Sequence, residues 1–438
     1  MIDFIHDFLN YWQTVAPGKL FRIFWYYFIF DFCRYVVWEF FILIIESFRK
    51  QDIRAKQAEA QQQLYQEYPL VSVIAPGKNE GRHIPHLARS LRNQTYKNLE
   101  IIIIDDGSDD NTREVCQQAF REGLIDTFFR NDVRGGKASA ANMALRFSHG
   151  KFIVHLDADS HLKPDAITKL LVPFYMDKKI GAVGGDIRVS NLDASMIATL
   201  QGIEYMKTIS IGRRVNSFLG IIRIISGAFG AFRRDALIRV GGWDIGPGLD
   251  GDITLKFRKS GYKVAFEPES VCFTNVPTTV RKLAKQRYRW DKSLIRFRIR
   301  KHLDILLPTA NFNFSNFLAV MDNIFFNFIL NFKWFIYIID IIVNFPHVLK
   351  YIVLMNYLLY FISNIAQFII ALKLTPDREI AKRYRKLIVY LPLMPLYHGI
   401  FIRCIRTYSY LAELLFKKSY EDPWNPWKVS RIAKKSGM

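Results

Sequence analysis

The spacing of hydrophobic positions changes twice along this chain, and the two changes divide it into three stretches. Near the start, Ile2, Ile5, Phe8, Leu9 and Trp12 recur at helical spacing with Asp3, His6, Asp7 and Asn10 between them. That is the pattern of a short amphipathic helix lying on a membrane face. Phe21 to Ile45 is apolar and long enough to cross a bilayer, but it carries Asp31, Arg34 and Glu39. Charges in a span are costly unless they face protein or a watery cavity. A spanning helix is expected, with a tilted interfacial helix as the alternative. Gln51 to Glu67 is rich in Gln and Ala and predicts a helical linker.

From Leu70 the pattern becomes short β-branched runs alternating with helical stretches. Strands are predicted at Leu70–Ala75, Glu100–Ile104, Phe152–Asp157 and Ile180–Gly184, and helices at His83–Asn93, Asn111–Arg121, Lys137–His149 and Asp165–Met176. Apolar strands alternating with helices predict an α/β fold whose parallel sheet is covered on both faces. On such sheets ligands bind beyond the carboxyl ends of the strands. The third stretch holds Phe317–Phe345 and Val348–Leu372, separated by Pro346, and each can span as a helix. Asn323, Asn327, Asn331 and Asp340 in the first are expected to face protein or a polar conduit. Leu387–Ile402 is shorter and broken by Pro392 and Pro395, so it either crosses or enters and returns.

Composition sharpens this division. Half of the 438 residues are hydrophobic and 36 are Phe, a high share for a cytosolic enzyme. The formal charge of +21 is concentrated beside the apolar segments, at Arg49, Lys50, Arg54 and Lys56, at Arg281 to Lys301, and at Arg378 to Lys386. Anionic headgroups and the positive-inside bias favour that placement, and no basic stripe interleaved with exposed aromatics points to nucleic acid. Cys33, Cys116, Cys272 and Cys404 lie far apart, which argues against a disulfide framework or a zinc site. No secretory signal is evident. The expected units are 1–50 (interfacial and spanning helices), 51–69 (linker), 70–272 (catalytic domain), 273–310 (interfacial helices), 311–416 (membrane helices) and 417–438 (basic tail).

The polar motifs fall at predicted strand ends. Asp105-Asp106-Gly107-Ser108 closes an isoleucine run, where its carboxylates can accept from a base or ribose; a turn with an Asp cap is the plainer alternative. Asp157-Ala158-Asp159 repeats the arrangement, and two carboxylates there suit Mg²⁺ or Mn²⁺ bearing a nucleotide diphosphate. Arg134-Gly135-Gly136-Lys137 opens a helix, as an anion site or a solvated turn. Asp250, before a helical run, is the candidate general base or a first-turn acid. Ser226-Gly227-Ala228-Phe229-Gly230 is a small-residue loop, suited to backbone contact with a sugar or to packing. In Gln286-Arg287-Tyr288-Arg289-Trp290, residues 286, 289 and 290 share one helical face. Arg289 offers a planar fork for phosphate and Trp290 a plane for a sugar; a snorkelling membrane helix is compatible with both.

The order Asp106, Asp157 and Asp159, Asp250, then Gln286, Arg289 and Trp290 resembles the membrane-embedded processive family 2 glycosyltransferases, which include cellulose, chitin, hyaluronan and poly-N-acetylglucosamine synthases. The likeness covers about residues 70–300 in detail. It implies a GT-A (Rossmann-like) cytoplasmic domain with flanking transmembrane helices, a multi-pass chain in the plasma or inner membrane. It also implies metal-dependent, inverting transfer from a UDP-sugar, glucose or N-acetylglucosamine, to a growing polysaccharide exported across the membrane. By the resemblance, Pro76 and Glu80 lie in the nucleotide-binding start, Asp106 contacts uridine and Lys137 the diphosphate. Asp157 and Asp159 hold nucleotide and metal, with Asp159 as the metal ligand. Asp250 matches the base, Gln286, Arg289 and Trp290 match QxxRW, and Trp290 with Gly227 would meet the acceptor. Gly77-Lys78 departs from the usual opening. Gly248-Leu249 replaces Thr-Glu ahead of the base, leaving Asp252 as fallback. Membrane lipids are expected partners, with accessory secretion subunits as further candidates; no regulatory domain is expected after the membrane segments. The alternative is a non-processive enzyme adding one sugar to a lipid, and a third reading is an inactive transferase fold serving as transporter or scaffold.

Overall fold

The computed structural model describes residues 2–244, 248–308 and 312–421, together with Pro426, Arg431 and Lys434. Most of the expected 417–438 tail, including Lys435, lies outside the described residues.

Among the described residues one sheet takes eight strands: β1 (Val71–Gly77), β2 (Leu99–Asp105), β3 (Thr127–Arg130), β4 (Phe152–Leu156), β5 (His161–Leu162), β6 (Ile180–Val189), β7 (Phe229–Arg233) and β8 (Lys263–Thr274). Their order across the sheet is β3-β2-β1-β4-β7-β6-β8-β5. The first four positions are mutually parallel, as alternation with helices predicts. Beyond β4 the sheet is mixed, which corrects the purely parallel expectation: β7 runs antiparallel to both β4 and β6. The signal was weak because β7 is Phe-Gly-Ala-Phe-Arg, short and small. It is a strand because it fills the slot between β4 and β6, where Gly230 pairs with both His155 and Gly184. β8 carries Pro268 at an irregularity in its pairing with β6 and ends at Thr274, two residues beyond the expected boundary.

The period-two alternation sorts the strands onto two faces. Val73, Ile101, Ile103, Val154 and Leu156 meet Leu87, Leu91, Ile167 and Leu170 on one side. Ile74, Ile102, Ile104 and Ile153 meet Ala138, Ala141 and Ala144 on the other, where small side chains bring helix Lys137–Phe147 close to the sheet. Each buried isoleucine contributes about 1.5–3 kcal/mol, so the strand ends that carry the polar motifs are rigidly backed.

The segment expected as a helical linker is a helix, and it packs on the domain. Helix Lys50–Glu67 buries Ala60 and Leu64, one turn apart, and Tyr65 bonds to Thr168 Oγ1 at 3.0 Å.

Three described helices are long and apolar enough to cross a membrane: Phe314–Asn344, Pro346–Leu374 and Arg378–Phe416. The last corrects the expected break at 387–402. The rod tightens around Pro392 and widens again at Tyr397–Ile402, which absorbs the missing proline N–H groups without ending the helix. Residues 17–48 are helical throughout apart from these helices, and their charges meet protein. Arg34 pairs with Asp322 at 3.0 Å, Tyr360 donates to Asp31, and Gln367 donates to Glu39 at 3.3 Å. Asn331 likewise turns inward, to Thr407 at 2.6 Å. The first helix, Ile2–Thr14, sets Phe4, Phe8 and Tyr11 around the ring of Tyr351.

Candidate active site

Three parallel strands deliver their carboxyl ends to one place. β1 ends at Gly77, and the Asn79 that follows sits in the left-handed region at φ 60°. The Asn79 amide donates to Ser108 Oγ at 2.8 Å and the Glu80 amide to Thr112 Oγ1 at 3.0 Å, tying this turn to the one after β2. Gly77 sits in close quarters: a Cβ there would lie 3.0 Å from the Ala158 side chain. The Pro76–Glu80 turn is therefore pressed against Asp157-Ala158-Asp159.

Asp106, buried at the end of β2, is held by the loop expected to bind an anion. Its carboxylate accepts from Asn131 Nδ2 at 3.0 Å and from the Gly135 and Gly136 amides at 2.8 Å each. Gly136, at φ 88°, opens the helix that begins with Lys137. The Lys137 ammonium reaches back to Asp157 as an ion pair. Burial works against its charge, but Asp157 and Asp250 raise its pKa above the ordinary lysine value.

Around Asp159 carboxylates crowd. Burial and then Asp157 raise Asp159 to about 6, and burial, Asp159 and Asp157 raise Glu80 to about 7. Thr274 Oγ1 approaches Asp159 at 3.4 Å. Crowded hard oxygens that disfavour one another's charge suit a divalent cation. Among the described residues no three His, Cys, Asp or Glu side chains form a complete cage. The carboxylates present at Asp159 and its neighbours fit an ion that completes its shell with oxygens from outside the protein.

Asp250 stands in the first turn of helix Leu249–Lys259, after Gly248 at φ 84°. A side chain at Gly248 would strike Ser293, so this helix start abuts the helix Val280–Ser293. The Gly227 amide bonds to Asp250, and a Cβ at Gly227 would collide with the carboxylate. Gly227 thus makes room for Asp250. Burial raises the Asp250 pKa, against the pull of Lys137 and the Gly227 amide. Asp252, two residues on, faces the opposite way and is fully buried, paired with His302 at 2.7 Å and Lys301 at 2.8 Å. Although burial pushes its pKa up, His302 and Lys301 hold it below the ordinary value.

On helix Val280–Ser293, Gln286 is half-buried, Arg289 lies within electrostatic reach of Lys137, and Trp290 is 38% exposed. Residues unmarked in the sequence also line the site. His155, on the same side of β4 as Asp157, is buried against Trp243, and burial with Lys137 lowers it to about 3, a neutral imidazole. Arg213 reaches Asp250 and is drawn by burial down to about 10. Strand alternation could have flagged His155; nothing local marks Arg213.

Residues 72–241 match Glycosyl transferase family 2. The poly-β-1,6-N-acetyl-D-glucosamine synthase of Staphylococcus epidermidis is 34% identical over 228 residues, covering 52% of this chain and 55% of that protein. The synthase of the same name from Staphylococcus aureus is 36% identical over 197 residues, 44% of this chain and 47% of that one. The chain spans about half the length of the curated relatives it matches. In fold it is similar to the mannosyltransferase PcManGT from Pyrobaculum calidifontis, in complex with GDP-Man and Mn²⁺, with a TM-score of 0.57 at 19% identity over 84% of this chain and 98% of that one. The family match contains Pro76, Glu80, Asp106, Lys137, Asp157, Asp159 and Gly227, and it ends before Asp250, Gln286, Arg289 and Trp290.

Proposed function

We propose that the family 2 glycosyltransferase domain at 72–241, extended by the Asp250 and Trp290 helices, polymerises sugars from a UDP-sugar into a polysaccharide. The observation that carries this reading is the meeting at Asp250. Its carboxyl group lies near Lys137 and Asp157 on one side, while the helix bearing Arg289 and Trp290 abuts its own helix on the other. N-acetylglucosamine is the first donor to test, because the synthases aligned with the chain make its polymer; glucose is the second.

Asp250 takes the proton of the acceptor hydroxyl as that oxygen bonds to the anomeric carbon, and the bond from that carbon to the diphosphate oxygen breaks. Attack opposite the leaving group inverts the anomeric centre. Raising the base's pKa by burial brings it closer to the working pH, where a general base is most effective. Lys137 and Arg289 face the charge that develops on the diphosphate. Pro76, Glu80 and Asp106 hold the nucleoside end, and Gln286 supports the sugar–diphosphate. Mg²⁺ or Mn²⁺ held by Asp159 would add Lewis-acid neutralisation of the leaving UDP. Trp290 offers a plane for the acceptor sugar.

Three long apolar helices, the third opening with the basic run Arg378 to Lys386, support a multi-pass membrane chain. The inward-facing Arg34, Asn323 and Asn331 support a polar route for the product, with the catalytic domain on the cytosolic side where nucleotide sugars are supplied. The test is full-length protein in nanodiscs with UDP-N-acetylglucosamine or UDP-glucose and Mg²⁺ or Mn²⁺, the product sized and digested by linkage-specific hydrolases. Polymer is expected; a single sugar on lipid would replace this reading with the non-processive one.

A further inference from the structure

Arg287 occupies one of the two unspecified positions in the QxxRW pattern, yet it is buried, at 9% exposure, and makes two contacts at once. Its Nη2 donates to Glu204 Oε2 at 2.7 Å, and its guanidinium lies 4.8 Å from the centroid of the Trp290 ring. The Tyr397 hydroxyl donates to the same Glu204 oxygen at 2.9 Å. Glu204 itself is 6% exposed, on the buried helix Met196–Tyr205. Tyr397 sits in the widened turn of the long helix Arg378–Phe416. One turn beyond Arg287, Asp291 pairs with Arg406 of that same long helix at 3.5 Å.

We propose that Glu204, Arg287 and Tyr397 form a positioning unit that holds the Trp290 indole at one orientation and leaves one of its two faces for the acceptor sugar. This rests on the reading of Trp290 as the acceptor plane. A guanidinium can stack on an indole while its edge donates to a carboxylate, which an ammonium cannot do as well. Burial keeps the pair together, because removing either partner strands a charge in a dry site. A sugar that must slide along its chain axis needs a plane that does not rotate between steps. The unit also ties that plane to the last long apolar helix, so a shift of that helix reaches the acceptor end of the site.

The test compares wild type, Trp290→Ala, Glu204→Gln, Arg287→Lys, Tyr397→Phe and the double variant Glu204→Gln with Arg287→Met, all full-length in nanodiscs. KM for an added N-acetylglucosamine oligosaccharide, kcat at saturating acceptor, UDP affinity and product length are measured on each. Glu204→Gln and Arg287→Lys should raise the acceptor KM about tenfold and shorten the product, with kcat and UDP affinity near wild type. Tyr397→Phe should do the same to a smaller degree, about threefold, and the double variant should be no worse than the poorer single one because the groups act as a unit. Where Glu204→Gln folds poorly, Tyr397→Phe, which removes one hydroxyl, carries the test. Unchanged acceptor KM in Glu204→Gln and Tyr397→Phe, with Trp290→Ala impaired, overturns the positioning unit alone. UDP affinity falling in step with transfer overturns it too, as general damage. Wild-type acceptor KM and length in Trp290→Ala overturn the acceptor-plane reading and the unit with it.

Discussion

On the proposed donor side of the site, Asp106, Asp157 and Asp159 follow strand ends and Lys137 opens a helix, all within one run of chain, and most of their partners lie in that run: the Gly135 and Gly136 amides on Asp106, and Lys137 on Asp157. On the proposed acceptor side the partners are remote. Arg287 reaches Glu204 across 83 positions, Tyr397 reaches Glu204 across 193, and Arg34 and Arg223 converge on Asp322 from two separate segments earlier in the chain. Local order along a sheet builds the first group, whereas packing between the domain and the long helices builds the second. Substitutions on the two sides should therefore fail differently: donor variants lose nucleotide or metal, and acceptor variants keep both and lose transfer.

On the proposed donor side the largest effect should come from Asp159→Asn. Turnover should fall about 10³-fold, because the leaving diphosphate loses its charge compensation. Excess Mn²⁺ should restore part of it, and near-wild-type rates at modest Mg²⁺ would remove Asp159 from the metal site. Next, Gly227→Ala places a methyl group against the Asp250 carboxylate. Displacing the base by a fraction of an ångström to an ångström should cost roughly 10²-fold in kcat with UDP affinity intact. Loss of UDP binding in that variant would erase the division between the two sides. Trp290→Ala should reduce polymer about tenfold and shorten it, Trp290→Phe recovering part of both. Polymer length normalised to UDP-binding protein separates this from a mere membrane anchor, which would change yield and not length.

The smallest effect concerns pH. A general base works ionised, so transfer is present above the Asp250 pKa and is lost as pH falls through it. Arg213 is one of the charges that lower that pKa. Arg213→Met should raise it further and move the acid limb of the pH–rate profile to higher pH, while UDP affinity against pH stays put. An unmoved limb would take Arg213 out of the base's surroundings.

The same contrast explains what the sequence made legible. The isoleucine run Ile101–Ile104 marked β2, and its carboxyl end marked Asp105 and Asp106, because strand and motif are contiguous. Asp157 followed for the same reason. β7 escaped because its five residues carry no periodicity and become a strand only between β4 and β6. The continuity of Arg378–Phe416 escaped because two prolines imply a break, which a tightened turn around Pro392 and a widened one at Tyr397–Ile402 avoid. Asp250 stood ahead of Asp252 in sequence by register alone, and only the fold buries Asp252 against Lys301 and His302. Glu204 and Arg287 gave no local signal, since each is ordinary until the other is brought to it.

The most direct test of the account sets Asp250→Asn beside Asp252→Asn, with UDP binding, thermal stability and single-turnover transfer measured on the same preparations. Asp250→Asn should bind UDP as wild type does, melt at the same temperature, and transfer about 10²–10⁴-fold more slowly, the range of a lost general base. Asp252→Asn should instead lose about 3–5 kcal/mol of stability through its broken buried pairs, with transfer per folded molecule retained. If Asp252→Asn is folded and inactive while Asp250→Asn still transfers sugar, the base is misassigned and the acceptor half is built around the wrong carboxylate.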